Sequence, residues 1–179
     1  MILLVIDIQK GITDDELYDF DCFVENVQKL IKTARENGVE IIHFQHDDGP
    51  GTGFSVGDEA FEISEVAQPK EGEKVFVKEI NSCFGNKEFA SYLESTKEKE
   101  LMIIGLQTNF CIDATIKSAF EKGYHVYVPE GANSTFDNDY MSGETTYRYY
   151  NEFVWPNRFV DVVDMEEAVA LLEGKSFEE

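Results

Sequence analysis

The sequence predicts an α/β protein: a three-layer α/β/α arrangement whose six-stranded, mostly parallel sheet runs in the Rossmann-like order 3-2-1-4-5-6, with helices on both faces. Three observations predict it. Short β-branched apolar runs recur at residues 2–6, 39–45, 74–77, 101–104, 125–128 and 159–163. Segments of helical period lie between them, at 21–37, 86–93, 109–122 and 165–172. The runs are continuous rather than alternating, as expected of strands buried on both faces of a parallel sheet.

The elements follow in order. In the first helix Phe23, Val27, Leu30, Ile31 and Ala34 recur at helical spacing, and Gly38 ends it. In the third, Ile112, Ile116, Ala119 and Phe120 make a similar stripe, ended by Gly123. Crossovers between parallel strands should be right-handed. Ligands bind outside the carboxyl ends of such strands. The search for a site therefore narrows to 7–12, 47–54, 78–84, 105–111 and 130–139. Residues 46–73 form a long connection with five glycines, a length common in functional lids. Residues 142–157 carry Tyr147, Tyr149, Tyr150, Phe153 and Trp155, a density that implies packing or an interface.

A chain of 179 residues suits one domain, 1–179. Its 15 basic and 36 acidic residues give a net charge of −21. Such a field repels nucleic acid and anionic membrane surfaces, and it tolerates a small neutral or cationic substrate. The apolar run at 2–6 is too short to span a membrane and has no basic segment before it, so a cytoplasmic protein is expected. The three cysteines, Cys22, Cys83 and Cys111, are odd in number and lack CxxC spacing, against both a disulfide framework and a cysteine zinc site.

Three polar residues each stand just past an apolar run: Asp7, Lys78 and Cys111. Parallel strands would bring all three to one rim of the sheet. Thiolate is the reactive form of cysteine, and a helix N-terminus and a nearby ammonium both favour it, so a depressed thiol pKa is expected. A carboxylate can take the thiol proton and return it to a leaving group. Each residue also has an ordinary reading: a turn aspartate, a solvated lysine, a small buried cysteine.

The stretches LLVIDIQKG (3–11), VFVKEINSCFGNKEF (75–89), LMIIGLQTNFCIDATIKSAFEKGYHVYV (101–128) and GANSTFD (131–137) occur in this order. Together they resemble the isochorismatase-like cysteine hydrolases, relatives of nicotinamidase and N-carbamoylsarcosine amidase, over nearly the whole chain. The resemblance implies that Cys111 is the nucleophile, Asp7 its general base, and Lys78 the group that orients both. It implies a non-proline cis peptide at Leu106–Gln107 that aims the Gln107 and Cys111 N–H groups at one point, an oxyanion hole. Gln9, His46, Phe84 and Thr108 are expected around the substrate. The reaction implied is hydrolysis of a small carboxamide or related C–N bond through a thioester.

Three departures narrow this. Nicotinamidases carry an Asp-x-His…His metal site after the second strand, where this chain reads HFQHDDGPGTGF, so no metal and no cofactor are expected. True isochorismatases lack the cysteine and cleave a vinyl ether, which Cys111 argues against. The family's aromatic five residues after the aspartate is Ile12 here, so one pocket wall is changed. Cys22 is expected to be structural; Cys83 is near Lys78 in sequence, with a resolving role opposite Cys111 as its minor alternative. The alternative from another class is a non-catalytic small-molecule-binding or thiol-sensing protein on the same scaffold. The resemblance also implies a homodimer or homotetramer, with the aromatic segment near Trp155 as its candidate interface.

Overall fold

The computed structural model describes residues 1–175. Seven strands form one sheet: β1 (Ile2–Ile6), β2 (Glu40–His46), β3 (Lys74–Lys78), β4 (Glu100–Leu106), β5 (His125–Pro129), β6 (Asn133–Ser134) and β7 (Asp161–Val163). They run β3-β2-β1-β4-β5-β7, and every ladder is parallel. The expected order holds, with β7 as its sixth member. The expected count is corrected by β6, which pairs with the end of β4 at Gly105 and Leu106. Below it, β5 pairs with β4 only through residues 100–102. The sheet therefore splits at its carboxyl edge, and β6 fills the gap. Two polar residues carry no apolar signal, so the sequence does not announce this strand.

Side-chain alternation along the central strands builds two cores. Ile2, Leu4 and Ile6 of β1 and Leu101 and Ile103 of β4 face one side, with Phe44, Phe76 and Trp155. Leu3, Val5, Met102, Ile104 and Leu106 face the other. Helices α2 (Lys87–Thr96) and α3 (Asp113–Glu121) cover the first core through Phe89, Leu93, Ile116 and Ala119. Helices α1 (Phe20–Glu36) and α5 (Met165–Leu172) cover the second. The α1 stripe is the one the sequence predicts: Phe23, Val27, Leu30, Ile31 and Ala34 are buried. Each large side chain so removed from water stabilises the fold by about 1.5–3 kcal/mol.

Two regions differ from the sequence expectation. A helix, α4 (Gly143–Arg148), and a wide helical turn, Tyr149–Val154, occupy the aromatic segment. Trp155 lies fully inside the first core, and its indole N–H donates to Asp113 Oδ1 at 2.9 Å. It is thus a core residue, which corrects its place in the expected interface; Tyr149 and Phe153 of the same segment are exposed. The second difference precedes α3. The chain forms a wide turn over Thr108–Ile112, in which the Ile112 N–H donates to the Gln107 carbonyl at 3.2 Å, five residues back. Regular helix begins only at Asp113. Wide turns of this kind recur at functional sites.

Gly105 has a specific reason to be glycine. Its φ is +125°, and a Cβ there would stand 2.0 Å from the Ile6 carbonyl oxygen. The end of β4 can approach β1 this closely only without a side chain. Among the described residues, no helix is long and apolar enough to cross a membrane.

Candidate active site

The carboxyl edge of the sheet gathers the chemistry. Asp7 follows β1, His46 ends β2, Lys78 ends β3, and the Gln107–Cys111 turn follows β4. Pairing sets the register: His46 stands beside Lys78, and Ile6 stands beside both Phe44 and Gly105.

Asp7 leaves β1 with φ +53°, an uncommon region for a residue with a side chain. Its N–H donates to the Phe44 carbonyl at 3.1 Å, so the chain bends while still tied to β2. Strained positions of this sort cluster at functional sites. Lys78 is inward for a simpler reason. Along β3, Phe76 and Lys78 share one face and are buried, while Val75 and Val77 share the other and are exposed.

The three expected catalytic residues meet. Lys78 Nζ lies 2.7 Å from Asp7 Oδ2 and 3.3 Å from Cys111 Sγ. Asp7 is 1 % exposed and Cys111 8 %. The Leu106–Gln107 peptide bond is cis. Two further residues reach the cluster. His46 Nδ1 is 3.1 Å from Lys78 Nζ, and its Nε2 is 3.0 Å from Asp48 Oδ1. Asn81 Oδ1 is 3.8 Å from Cys111 Sγ. Asn81 was missed as an individual residue, although it lies in the Asn-Ser-x-Phe loop that carries part of the resemblance.

Burial sets the electrostatics. It raises the Asp7 pKa, and the Lys78 ammonium only partly offsets this. Neither Asp7 oxygen accepts from a backbone N–H. Burial alone would lower the Lys78 pKa, but the Asp7 carboxylate and the neighbouring thiols reverse the sign and hold it above the ordinary lysine value. The Cys111 thiol is pushed up to about 12, first by burial and then by the Asp7 charge, with Lys78 opposing. This corrects the expected depressed pKa. The ammonium is present as foreseen, but a carboxylate shares it, and the sulfur is buried. The resting sulfur is therefore a thiol. Cys83 is fully buried, and burial drives its thiol higher still. That environment opposes the nucleophilicity a resolving thiol needs. Cys22, expected to be structural, is half-buried and accepts a hydrogen bond from Asn26 Nδ2 at 3.4 Å.

Three residues expected around the substrate are used elsewhere. Gln9 is fully buried, and its amide clamps backbone: Nε2 donates to the carbonyls of His46 (3.0 Å) and Phe61 (2.8 Å), and Oε1 accepts from the His46 N–H (2.8 Å). Thr108 is fully buried and donates to Asn133 Oδ1 at 2.7 Å, tying the turn to β6. Phe84 packs on Phe89 and Tyr124, with Lys122 over its ring. Lys122 and Tyr124 follow the end of α3, so the ring is engaged by packing there. Gln107 does border open space, a hollow of about 470 Å³ shared with Asn109, Phe110, Thr135 and Tyr140.

Donor atoms of Asp7, His46 and Cys111 lie within 4.8 Å of one another, a spacing that a divalent ion can bridge. The Lys78 ammonium already touches all three residues. The set is filled by a fixed cation, and a metal would have to displace it.

Comparison with known proteins places the chain in a family. The isochorismatase domain model matches residues 1–167. The chain is 35% identical to the isochorismatase family protein YddQ of Bacillus subtilis (strain 168) over 138 residues, covering 74% of this chain and 77% of that one. It is 23% identical to the ureidoacrylate amidohydrolase RutB of Agrobacterium fabrum over 191 residues, covering 86% and 84%. A cysteine hydrolase from Pseudomonas syringae pv. phaseolicola superposes with a TM-score of 0.88 at 21% identity, covering 97% of this chain and 92% of that chain, which shows a shared fold. With the family model matched over residues 1–167 and a relative 35% identical, this chain belongs to the isochorismatase family of hydrolases.

Proposed function

We propose that the protein is a cysteine-dependent amidohydrolase that cleaves a small carboxamide or related C–N bond through a thioester on Cys111. The observation that carries this reading is the Lys78 ammonium, which contacts Asp7 Oδ2 and Cys111 Sγ at 2.7 and 3.3 Å inside a buried site. Asp7, with its carboxyl raised by burial, is suited to hold a proton in transit. As Cys111 Sγ attacks the substrate carbonyl, its proton passes to Asp7. Lys78 stabilises the sulfur as charge develops. The tetrahedral oxyanion is held by the Gln107 and Cys111 N–H groups. Collapse breaks the C–N bond, and the proton on Asp7 leaves with ammonia or an amine. Water, deprotonated by Asp7, then attacks the thioester and frees the acid and the thiol.

The amidohydrolase among the relatives supports the C–N assignment. The net charge of −21 favours a neutral or cationic substrate. A thiol-sensing role would not need a buried carboxylate and an ammonium together beside the sulfur, as Asp7 and Lys78 stand here. A screen of small carboxamides for ammonia release tests the reading. Release by the wild type and none by Cys111→Ala is expected; equal release by both would refute it. Neither a metal nor a cofactor enters this scheme, so dialysis against EDTA is expected to leave the rate unchanged. Loss of activity restored by one equivalent of a divalent ion would contradict it.

A further inference from the structure

The structure assigns His46, with Asp48 behind it, as a positioning pair that aims the Lys78 ammonium. An ammonium has three N–H donors and no acceptor. Lys78 has three acceptors within reach: Asp7 Oδ2 at 2.7 Å, His46 Nδ1 at 3.1 Å and Cys111 Sγ at 3.3 Å. With its side chain fully buried, the ammonium finds no other partner in water. The carboxylate, the ring nitrogen and the sulfur surround the ammonium on three sides and limit its rotation about the Cε–Nζ bond. If the imidazole is removed, the ammonium keeps two acceptors and loses the third anchor that holds a proton on the sulfur.

The role requires one tautomer. Lys78 can only donate, so His46 Nδ1 must be the bare nitrogen and the proton must sit on Nε2. The Asp48 carboxylate, 3.0 Å from Nε2, is the acceptor that selects this form. The His46 backbone is fixed independently, because its N–H and C=O are both clamped by the Gln9 side chain. The ring therefore has little freedom to serve as a substrate contact. Its inner nitrogen is committed to Lys78, and its outer one to a half-exposed carboxylate. This assignment deepens the reading of the Cys111 site, but its test needs no substrate.

Two measurements decide it. Long-range ¹H–¹⁵N NMR of the wild-type protein reads the His46 tautomer directly. Protonation on Nε2 with a bare Nδ1 is expected, and protonation on Nδ1 would overturn the assignment. The second measurement is the rate of Cys111 alkylation by iodoacetamide at pH 8 in His46→Leu and His46→Asn, with folding checked by circular dichroism. An asparagine Oδ1 can replace Nδ1 as the acceptor, and leucine cannot. Leucine is expected to slow alkylation about tenfold, the effect of one unit in thiol pKa, and asparagine to stay within about threefold of wild type. Equal slowing in both variants would make His46 a packing residue. Unchanged alkylation in the leucine variant would mean that Lys78 needs no help. If the leucine variant does not fold, the tautomer and the asparagine variant still decide. A protein that alkylates as expected but hydrolyses no carboxamide would sink the amidohydrolase reading and leave this one standing.

Discussion

Two carboxylates, Asp7 buried and Glu73 partly buried, tie the sheet together at opposite edges, and the fold treats them in opposite ways. Glu73 lies just before β3, at the amino edge of the sheet. Its oxygens accept from Arg35 Nε (2.7 Å), Arg35 Nη2 (3.0 Å) and the Lys70 N–H (2.9 Å), and Oε2 lies 2.9 Å from His43 Nε2. Burial alone would raise its pKa, but these partners together hold it down to about 2. Asp7 lies at the carboxyl edge and has the Lys78 ammonium as its cationic partner, no backbone N–H, and a raised pKa. A carboxylate whose lone pairs are filled is a clamp. One left short of donors keeps an affinity for a proton, which is what general base catalysis requires. Both donor count and depth separate the two uses: Glu73 has more donors and lies nearer the surface, and Asp7 has fewer and lies deeper.

The largest expected effect comes from removing the sulfur. Cys111→Ala should lower hydrolysis by at least ~10³-fold while leaving the fold intact, read by steady-state rates beside a thermal melt. Activity within tenfold of wild type would remove the thiol from the chemistry.

Next comes the ion pair itself. Lys78→Met leaves Asp7 buried without a cation and should cost about 3–5 kcal/mol in urea unfolding at pH 7, besides abolishing turnover. Its sign with pH is distinctive. The Lys78 pKa is raised in the folded state, so its stabilisation is full below the ordinary lysine value and fades as pH climbs past it. The gap between wild type and variant should therefore narrow in alkali, and a gap that widens there would argue against the pairing.

The clamp at the other edge should behave in the mirror sense. Glu73→Gln is expected to cost about 1.5–3 kcal/mol at pH 7 with activity retained, since charge-assisted hydrogen bonds are lost far from the thiol. Its folded pKa is depressed, so this stabilisation is full above the ordinary glutamate value of 4.5 and disappears as pH falls toward about 2. Urea titrations of both proteins across that acid window read the difference. A gap that persists below it would mean that Glu73 acts through shape rather than charge.

A smaller effect tests the link between the core and the nucleophile turn. Trp155→Phe keeps most of the buried ring but loses the hydrogen bond to Asp113. A loss of about 1–2 kcal/mol with unchanged activity is expected. An activity loss without a stability loss would give the indole a role in the reaction.

These contrasts follow the line between what the sequence could and could not disclose. Continuous apolar runs made the main strands readable, and the helical stripe of α1 was readable from Phe23 through Ala34. Strand β6 was not, because Asn133 and Ser134 are held by the frayed end of β4 rather than by any apolar pattern of their own. Nor was α4, whose aromatic segment reads equally as core or as surface. Asp7, Lys78 and Cys111 stood out because each closes an apolar run at the same edge. The sign of the Cys111 shift did not, since it depends on burial and on how one ammonium is shared between sulfur and carboxylate. Gln9, Thr108 and Phe84 were placed around the substrate because they neighbour the right loops. Side-chain direction, which spacing alone does not supply, sends them to backbone, to β6 and to the far end of α3.

Acid-quenched turnover of a carboxamide selected by ammonia release, followed by peptide mass mapping, tests the central claim most directly. The acyl mass of the substrate is expected on the peptide containing residue 111, appearing and decaying at the rate of turnover. An acyl group on any other residue, or steady turnover with the sulfur unmodified throughout, would contradict it.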